Sequence, residues 1–326
     1  MPRLTLREAI TAALRDEMRR DEKVFIMGEE VGAWGGTYAV TKGFLEEFGE
    51  NRVRDTPISE MVIAGAAVGA AMAGTRPVAE FMTINFAFVA YDAIINHAAK
   101  VSYMFDGQFD CPVVFRAPGG GGKQLGATHS HTPDVAFAHF PGLKVVCPAT
   151  PYDAKGLLTA AIRDNGPVLF IEPVPLYTSP KVRGDVPDED YTIPIGASDK
   201  KRDGSDITLI TYGEGLHISL EAADILDKEG VEAEVIDLRT LQPLDMSLAL
   251  ASFKKTFKGV VVEFNHKTYG IGAELVAQLQ EHAFDYLDAP IKRVSQADVP
   301  APYSGDLEKA ALPDAQKVVT AVKEIL

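Results

Sequence analysis

Two residues, Glu60 and Phe86, have the types and positions that a site for a flat, polar ring requires. Glu60 is the only ionisable residue between Asp55 and Arg76, and it opens a stretch, residues 61–73, in which every side chain is apolar or small. We therefore expect its carboxylate at the edge of a dry region, where it can act as a general acid or base. Phe86 follows a predicted strand, where open α/β sheets build ligand crevices. The alternative for Glu60 is a surface carboxylate that stabilises a helix dipole, and the alternative for Phe86 is an aromatic side chain packed in the core.

The stretch after Glu60 predicts a helix that is apolar on all sides and therefore buried. A turn that ends in Ser59 precedes it, and the hydroxyl of this residue can cap the helix. Gly65, Gly69 and Ala73 recur every four residues and form a stripe on which another backbone can pack closely. The stretch is too short to span a bilayer.

Two glycine-rich segments follow predicted strands without matching a nucleotide-binding motif. Residues 119–123, GGGGK, lack the Gly-Lys-Ser/Thr spacing of a phosphate-binding loop, so we interpret them as a mobile loop. Residues 213–215, GEG, lack the third glycine of a dinucleotide-binding fingerprint. The sequence therefore gives no support for NAD binding.

Two histidines, His129 and His131, lie just beyond the first of these segments. In an extended segment they share a face and could bind a metal, but no nearby carboxylate or thiol completes a ligand set. We expect them instead to donate or accept protons in a cleft, with a structural role for one of them as the alternative.

Short apolar strands alternate with helical patterns along most of the chain, which predicts mostly parallel sheets with helices on both faces. A charged, proline-rich segment interrupts the alternation. We therefore expect an α/β protein with two doubly wound domains, residues 1–180 and 206–326, and a linker at residues 181–205.

The composition of the 326 residues limits the partners. With 32 basic and 46 acidic residues the net charge is −14, which argues against binding nucleic acid or an anionic membrane. The two cysteines, Cys111 and Cys147, indicate neither a disulfide framework nor a metal site. No signal peptide is recognisable, so we expect a cytoplasmic protein, or one of the mitochondrial matrix if this is a processed organellar form.

Several long motifs in the same order resemble one family. The sequence is similar, over essentially its whole length, to the β subunits of thiamine-diphosphate-dependent 2-oxoacid dehydrogenase complexes, with pyruvate-specific members as the nearest likeness. The motifs are DTPISEM at 55–61, AGTRPVAEFMTINF at 73–86, PGLKVVCPATPYDAKGLL at 141–158, AIRDNGPV at 161–168 and EVIDLRTLQPLD at 234–245.

The resemblance implies a transketolase-type pyrimidine-binding domain followed by a transketolase C-terminal domain. It implies that Glu60 contacts a ring nitrogen of the aminopyrimidine of thiamine diphosphate. Protonation of this nitrogen by Glu60 would activate the cofactor. Phe86 would then stack on the pyrimidine, and Ile58 and Met82 would line its pocket. His129 matches the active-site histidine that serves acyl transfer to lipoamide.

The resemblance also implies ligands and partners. Mg²⁺ and the diphosphate need a Gly-Asp-Gly motif that is missing here and that lies on the α subunit in this family, so we expect a heterotetramer of two α and two β chains. A structural K⁺ would be held by backbone oxygens, which map onto residues Val113, Ala161, Asp164 and Gly166. A dihydrolipoamide acyltransferase core with lipoyl domains would receive the acyl group.

The expected reaction is oxidative decarboxylation of pyruvate with reductive acyl transfer to lipoamide, leading to acetyl-CoA. A branched-chain 2-oxoacid or acetoin dehydrogenase β subunit is the alternative within the class, and a non-catalytic scaffold is the alternative outside it. Two departures from the family concern substrate range and partner contacts. His131 stands where many relatives have Gln, and residues 265–267, NHK, replace a stretch that is often acidic or glycine-rich.

Overall fold

The structure, a computed structural model, describes all 326 residues, and these form two compact units. Unit 1 comprises residues 1–119 and 136–195, and unit 2 comprises residues 120–135 and 196–326. Residues 120–135 therefore belong to unit 2 by their contacts, although the residues before and after them in the chain belong to unit 1.

Unit 1 is an α/β unit built on six parallel strands in the order β6-β7-β5-β4-β2-β3. A two-residue antiparallel pair, β1 with β8, stands apart from this sheet. The elements in chain order are β1 (Arg3–Leu4), α1 (Leu6–Arg20), β2 (Val24–Gly28), α2 (Phe44–Phe48), β3 (Val53–Asp55), α3 (Glu60–Met72), β4 (Arg76–Glu80), α4 (Val101–Met104), β5 (Val114–Gly119), α5 (Asp134–Ala138, whose first two residues belong to unit 2), β6 (Lys144–Val146), α6 (Pro151–Arg163), β7 (Val168–Pro173) and β8 (Gly184–Asp185).

Helix α1 shows how local signals and packing agree in this unit. Thr5 accepts a hydrogen bond from Glu8 N, and the Glu8 carboxylate accepts one from Thr5 N at 2.7 Å, which completes a capping box. The apolar stripe of the helix is buried, and its closest helical neighbour is α6. The sequence predicts both the start of this helix and its buried face correctly.

Helix α3 begins at Glu60, as predicted, but the prediction that it is buried on all sides is wrong for the single chain. One face, which includes Ile63 and Ala67, packs into unit 1, while Met61 and Val62 are 59% and 53% exposed. A Cβ atom added to Gly65 would meet nothing within 4 Å. Periodicity could not separate the two faces, because both consist of apolar and small residues.

The apolar pattern of residues 86–103 predicts one long helix, but the structure has three short pieces there. A 3₁₀ turn over Ile84–Phe88 is followed by a π-helix over Ala93–Ala98 and then by α4. In the π-helix, Ala99 N donates to Ile94 O at 3.0 Å, five residues back. Because π-helical turns and 3₁₀ turns share the apolar composition of α-helices, the sequence pattern did not distinguish them.

A buried ionic network crosses the centre of the unit 1 sheet. Arg116 of β5 is fully buried and donates two hydrogen bonds to Glu172 of β7, each 2.7 Å long. It also donates to Glu80 at the end of β4, and Tyr177 donates to Glu172. Burial raises the pKa of Glu80 in spite of Arg116. Paired charges thus join three adjacent strands, with Glu80 opposite Arg116 and Glu172 two residues further along β7 than the position opposite Arg116.

Unit 2 has a five-stranded sheet in the order β14-β13-β10-β11-β9, parallel except for β9. Helix α7 packs against α11 and helix α8 against α9. The elements are β9 (Asp199–Arg202), β10 (Ile207–Thr211), α7 (Gly215–Asp227), β11 (Ala233–Asp237), β12 (Thr240–Gln242), α8 (Ser247–Thr256), β13 (Gly259–His266), α9 (Ile271–Ala283), β14 (Lys292–Gln296), α10 (Gly305–Ala311) and α11 (Ala315–Lys323).

No helix of the chain combines the length and the apolar composition needed to cross a membrane.

Replacing Arg116 by Met should lower the free energy of unfolding by about 3–5 kcal/mol, because Glu80 and Glu172 would remain buried without a cation. Denaturation in urea measures this loss. The control is Arg183→Met, which removes a half-exposed ion pair with Glu8 at 3.4 Å and should cost about 0–1 kcal/mol. Equal losses in the two variants would contradict the role assigned to the network.

Candidate active site

The candidate site lies at the carboxyl ends of three neighbouring strands of unit 1, in the spatial order β4-β2-β3. Glu29 follows β2, Thr56 follows β3, and Thr56 N donates to Gly28 O at 2.9 Å. Glu60 begins α3 just beyond Thr56, and Phe86 lies in the 3₁₀ turn after β4. Because parallel strands end at the same edge of a sheet, this edge is where an α/β unit binds ligands.

Glu60 is buried, with 6% of its surface exposed, at the first position of α3. Ser59 is the residue before the helix, as predicted, but its hydroxyl makes no capping bond. Its carbonyl oxygen instead accepts a hydrogen bond from Ile63 N at 2.9 Å. The Ser59 side chain thus accepts no hydrogen bond from the first N–H groups of α3. The Glu60 carboxylate lies at this same end, which carries the positive pole of the helix dipole.

Glu29 is a second buried carboxyl group that the sequence analysis missed. It is 4% exposed, and its Oε1 atom has no hydrogen-bond partner in the chain. Burial raises the pKa of Glu29, and the nearby charges of Glu60, Glu30 and Glu80 raise it further. Its position directly after a buried strand was the signal that could have identified it.

Three buried polar atoms at this edge have no hydrogen-bond partner: Glu29 Oε1, Thr56 Oγ1 and Asn85 Nδ2. Each follows a different strand of the three. Because buried polar groups are nearly always paired in folded proteins, such a group of unpaired acceptors and donors indicates a place for a polar ligand. A heteroaromatic ring with nitrogen atoms in the ring and an amine substituent offers both acceptors and a donor to such atoms.

The other predicted ring contacts differ in burial. Phe86 and Met82 are half-buried, whereas Ile58 is 80% exposed. Glu60, Ile58, Met82 and Phe86 all belong to unit 1.

His129 and His131 belong to unit 2. His129 is exposed, and its Nδ1 lies 2.9 Å from Thr128 Oγ1. His131 is half-buried, and burial together with the charge of His266 lowers its pKa, which favours the neutral imidazole. No group of three or more His, Cys, Asp or Glu side chains in the chain is arranged to hold a metal ion.

The glycine-rich segment after β5 is bound by a carboxylate of its own chain. Gly122 N and Gln124 N donate to the two oxygens of Glu308 at 2.9 and 3.0 Å. These N–H groups, which a phosphate-binding loop would offer to a ligand, are therefore used internally.

The four residues predicted to bind K⁺ belong to unit 1: Val113 directly precedes β5, and Ala161, Asp164 and Gly166 lie at the end of α6 or just after it. Val113 O accepts from Val168 N at 2.9 Å, and Gly166 N donates to Asp164 Oδ1 at 2.7 Å. Arg76 donates to the Asp164 carbonyl at 2.9 Å, and Lys144 pairs with the Asp164 carboxylate at 2.6 Å. The K⁺ site remains a prediction, in a place where two cationic side chains already contact Asp164.

Comparison with known proteins agrees with this architecture. Residues 3–180 match the transketolase pyrimidine-binding domain, and residues 196–318 match the transketolase C-terminal domain. A solved structure described as split-gene transketolase, inactive beta4 tetramer, has a TM-score of 0.80 and 25% identity, covering 99% of this chain and 98% of that one. Fold and site thus define a transketolase-type protein with two α/β domains, which confirms the predicted fold class.

Curated relatives narrow the family. The pyruvate dehydrogenase E1 component subunit beta of Rickettsia felis is 48% identical over 99% of this chain and 98% of its own length. The mitochondrial pyruvate dehydrogenase E1 beta subunit of Dictyostelium discoideum is 48% identical over 99% and 91%. The 2-oxoisovalerate dehydrogenase subunit beta of Bacillus subtilis is 46% identical over 98% and 97%. The chain belongs to the family of 2-oxoacid dehydrogenase E1 β subunits, and the resemblance noted from its motifs is confirmed.

Replacing Glu29 by Gln should flatten the dependence of stability on pH. Because the pKa of Glu29 is raised in the folded chain, its stabilising contribution is present at low pH and is lost as the pH rises from about 4.3, the pKa of an unperturbed Glu, through the folded value. Urea denaturation from pH 4 to pH 8 measures the slope.

Glu50→Gln, which changes an exposed carboxylate, serves as the control and should keep the wild-type slope. A Glu29→Gln chain that loses stability with rising pH as steeply as the wild type would contradict the account of Glu29.

Proposed function

We propose that the chain is the β subunit of a pyruvate dehydrogenase E1 component. The reaction is oxidative decarboxylation of pyruvate with reductive acetyl transfer to lipoamide, in a complex that makes acetyl-CoA. The observation that carries this proposal is 48% identity over at least 98% of the chain to pyruvate dehydrogenase E1 beta subunits from a bacterium, a slime mould and rice.

A branched-chain 2-oxoacid dehydrogenase β subunit is the second candidate. The Bacillus subtilis 2-oxoisovalerate relative is almost as similar, at 46% identity, and also matches nearly end to end. The two reactions share the cofactor chemistry and differ in the side chain of the acid. Only a comparison of substrates separates them.

Thiamine diphosphate is the cofactor of the proposed reaction, and the residues at the strand ends of unit 1 fit its aminopyrimidine. Glu60 would hold the ring nitrogen through a hydrogen bond, Phe86 would stack on the ring, and Met82 and Ile58 would line its edge. The buried carboxylate and the three unpaired polar atoms support this assignment. When bound, the cofactor supplies the electron sink for decarboxylation.

The two carboxyl groups at this edge would have separate tasks. Glu60 would donate a proton to the pyrimidine nitrogen and take it back. Glu29 retains its proton over a wider pH range than an exposed glutamate, because burial and the charge of Glu60 raise its pKa. In its protonated form Glu29 would limit the negative charge beside Glu60, and it takes up that proton at a higher pH than an ordinary glutamate does.

An α subunit would complete the site. We propose a heterotetramer of two α and two β chains. In this assembly the α subunit would hold Mg²⁺ and the diphosphate, and the β subunit would be inactive without the α subunit. The exposed face of α3, with Met61, Val62 and Gly65, is an apolar surface next to Glu60 that suits a helix of another chain. The related split-gene transketolase structure is itself described as an inactive tetramer of β chains.

Further assignments rest on the family resemblance. His129 would serve acyl transfer to the lipoyl domains of a dihydrolipoamide acyltransferase core. K⁺ would bind the backbone oxygens of Val113, Ala161, Asp164 and Gly166. The complex would work in the cytoplasm, or in the mitochondrial matrix for an organellar form. The pyrimidine-binding domain would comprise residues 1–180 and the C-terminal domain residues 206–326, joined by residues 181–205.

Titration calorimetry of thiamine diphosphate with Mg²⁺ tests the proposed function. We expect tight binding to the chain co-expressed with an α subunit and none to the chain alone. The complex should decarboxylate pyruvate faster than 3-methyl-2-oxobutanoate. Glu60→Gln should lower this activity by about 10²–10⁴-fold, because the proton transfer is lost, and Glu50→Gln should leave it unchanged.

Tight binding by the lone chain would contradict the shared site. A preference for the branched acid would select the second candidate, and a Glu60→Gln complex with wild-type activity would exclude the catalytic assignment.

Replacing Gly65 by Leu should prevent assembly with the α subunit while the lone chain stays folded. Gly65 lies inside α3 with open space around it, so a leucine fits the single chain and gains about 0.5–1 kcal/mol of helix propensity. The same side chain would obstruct a closely packed helix. Light scattering after size exclusion measures assembly, and Ala277→Leu on the exposed side of α9 is the control. Normal assembly of Gly65→Leu would contradict the interface.

A further inference from the structure

Residues 120–135, called the histidine segment from here on, are fixed to unit 2 at both ends by buried carboxyl groups. At the first end the carboxylate of Glu308, 3% exposed on α10, accepts hydrogen bonds from Gly122 N and Gln124 N. Gly120 and Gly122 have φ angles of +103° and +88°, which only glycine adopts without strain. The glycines therefore shape the backbone so that its N–H groups converge on one carboxylate.

At the second end, Asp134 is fully buried and accepts three hydrogen bonds. Tyr212, directly after β10, donates to Oδ2 at 2.7 Å. Asn265 of β13 and Val135 N, at 2.6 Å, both donate to Oδ1. Side chains on β13 and directly after β10 of the unit 2 sheet thus bind one carboxyl group of the segment.

Between these two clamps the segment carries His129 and His131, with the buried Ser130 between them. Most of the residues from Gly122 to His129 are exposed, and no helix or strand occurs between Gly120 and Pro133. The two clamps therefore fix where this stretch leaves the folded body of unit 2 and where it returns to it. Burying a carboxyl group costs more free energy than an apolar contact that would also hold a loop. Two buried carboxyl groups, however, fix the backbone direction through hydrogen bonds, which an apolar contact cannot do.

We propose that Glu308 and Asp134 are positioning residues that hold the histidine segment in the conformation from which His129 serves acyl transfer. This inference rests on the proposed function for the role of His129, while the clamps themselves are features of unit 2. It assigns a purpose to the glycine-rich stretch, whose N–H groups bind Glu308.

The second clamp is sensitive to pH. Burial raises the pKa of Asp134 to about 7, and the charge of Glu263 also raises it, while the hydrogen bonds from Tyr212, Val135 and Asn265 lower it. The titratable groups that face Asp134 are Tyr212 and Glu263. Because folding raises this pKa, the stabilising contribution is full at low pH and declines as the pH rises toward about 7.

Hydrogen–deuterium exchange of the full chain, corrected for intrinsic exchange rates, tests the clamps. Glu308→Gln should speed exchange at residues 122–126 about tenfold, because the single amide oxygen of Gln can accept from only one of the two N–H groups, and without a charge, while its amide nitrogen faces the other. Asp306→Asn, which changes an exposed carboxylate on the same helix, should exchange like the wild type. Asp134→Asn keeps the shape of the protonated carboxyl group, so it should exchange like the wild type near pH 4 and several-fold more slowly above pH 7, with the difference growing between these values.

The catalytic role is measured on the complex with the α subunit. Glu308→Gln should lower acetyl transfer to a lipoyl domain about tenfold and leave pyruvate oxidation by an artificial electron acceptor within twofold. His129→Ala is the reference and should show the same division more strongly. We expect acetyl transfer by the wild type to decline between pH 6 and pH 8, and Asp134→Asn should remove this decline.

Exchange in Glu308→Gln equal to that in Asp306→Asn, or a pH dependence unchanged in Asp134→Asn, would overturn the clamps. Equal losses in the two activity assays would overturn the positioning role. A wild-type complex with no thiamine-diphosphate-dependent activity would refute the proposed function instead, and the exchange data would still decide the clamps.

Discussion

The burial of Arg116 is the constraint on which the geometry of unit 1 depends. A guanidinium group at zero exposure is stable only when its charge and its donors are matched, and here Glu80 and Glu172 provide the match from the two neighbouring strands. The network fixes the relative height of β4, β5 and β7 at their carboxyl ends. The turn that carries Phe86 begins at Ile84, four residues after Glu80, so the candidate site at this edge depends on the same alignment.

Each unit uses buried carboxyl groups for a different purpose. In unit 1 the charges of Glu80 and Glu172 are paired with Arg116, whereas Glu29 and Glu60 lie close together at the sheet edge and Glu29 is held toward its protonated form. In unit 2, Glu308 and Asp134 are satisfied mainly by N–H and O–H donors. Paired charges thus join strands, the proximity of Glu29 and Glu60 raises the pKa of Glu29, and the hydrogen-bonded carboxyl groups of unit 2 hold a segment of backbone.

Short sequence patterns predicted correctly the features that depend on neighbouring residues. The capping box of α1, the start of α3 at Glu60 and the strand Ile207–Thr211 all follow from sequence patterns of a few residues. The family motifs added the two transketolase-type domains. The partners of Asp134 lie 78 and 131 residues away, and those of Arg116 lie 36 and 56 residues away, so they depend on strand order. The exposed face of α3 was missed because apolar composition does not reveal whether the cover comes from the same chain.

That uncovered face has a consequence for how such a chain is produced. A lone copy presents Met61, Val62 and the backbone of two glycines to water, beside a net charge of −14 that only partly opposes self-association. Copies made in excess would tend to adhere to one another or to chaperones through this stripe. In the proposed assembly, a covering chain that is available as each copy folds would keep this face from water, so the helix favours balanced synthesis of the two chains.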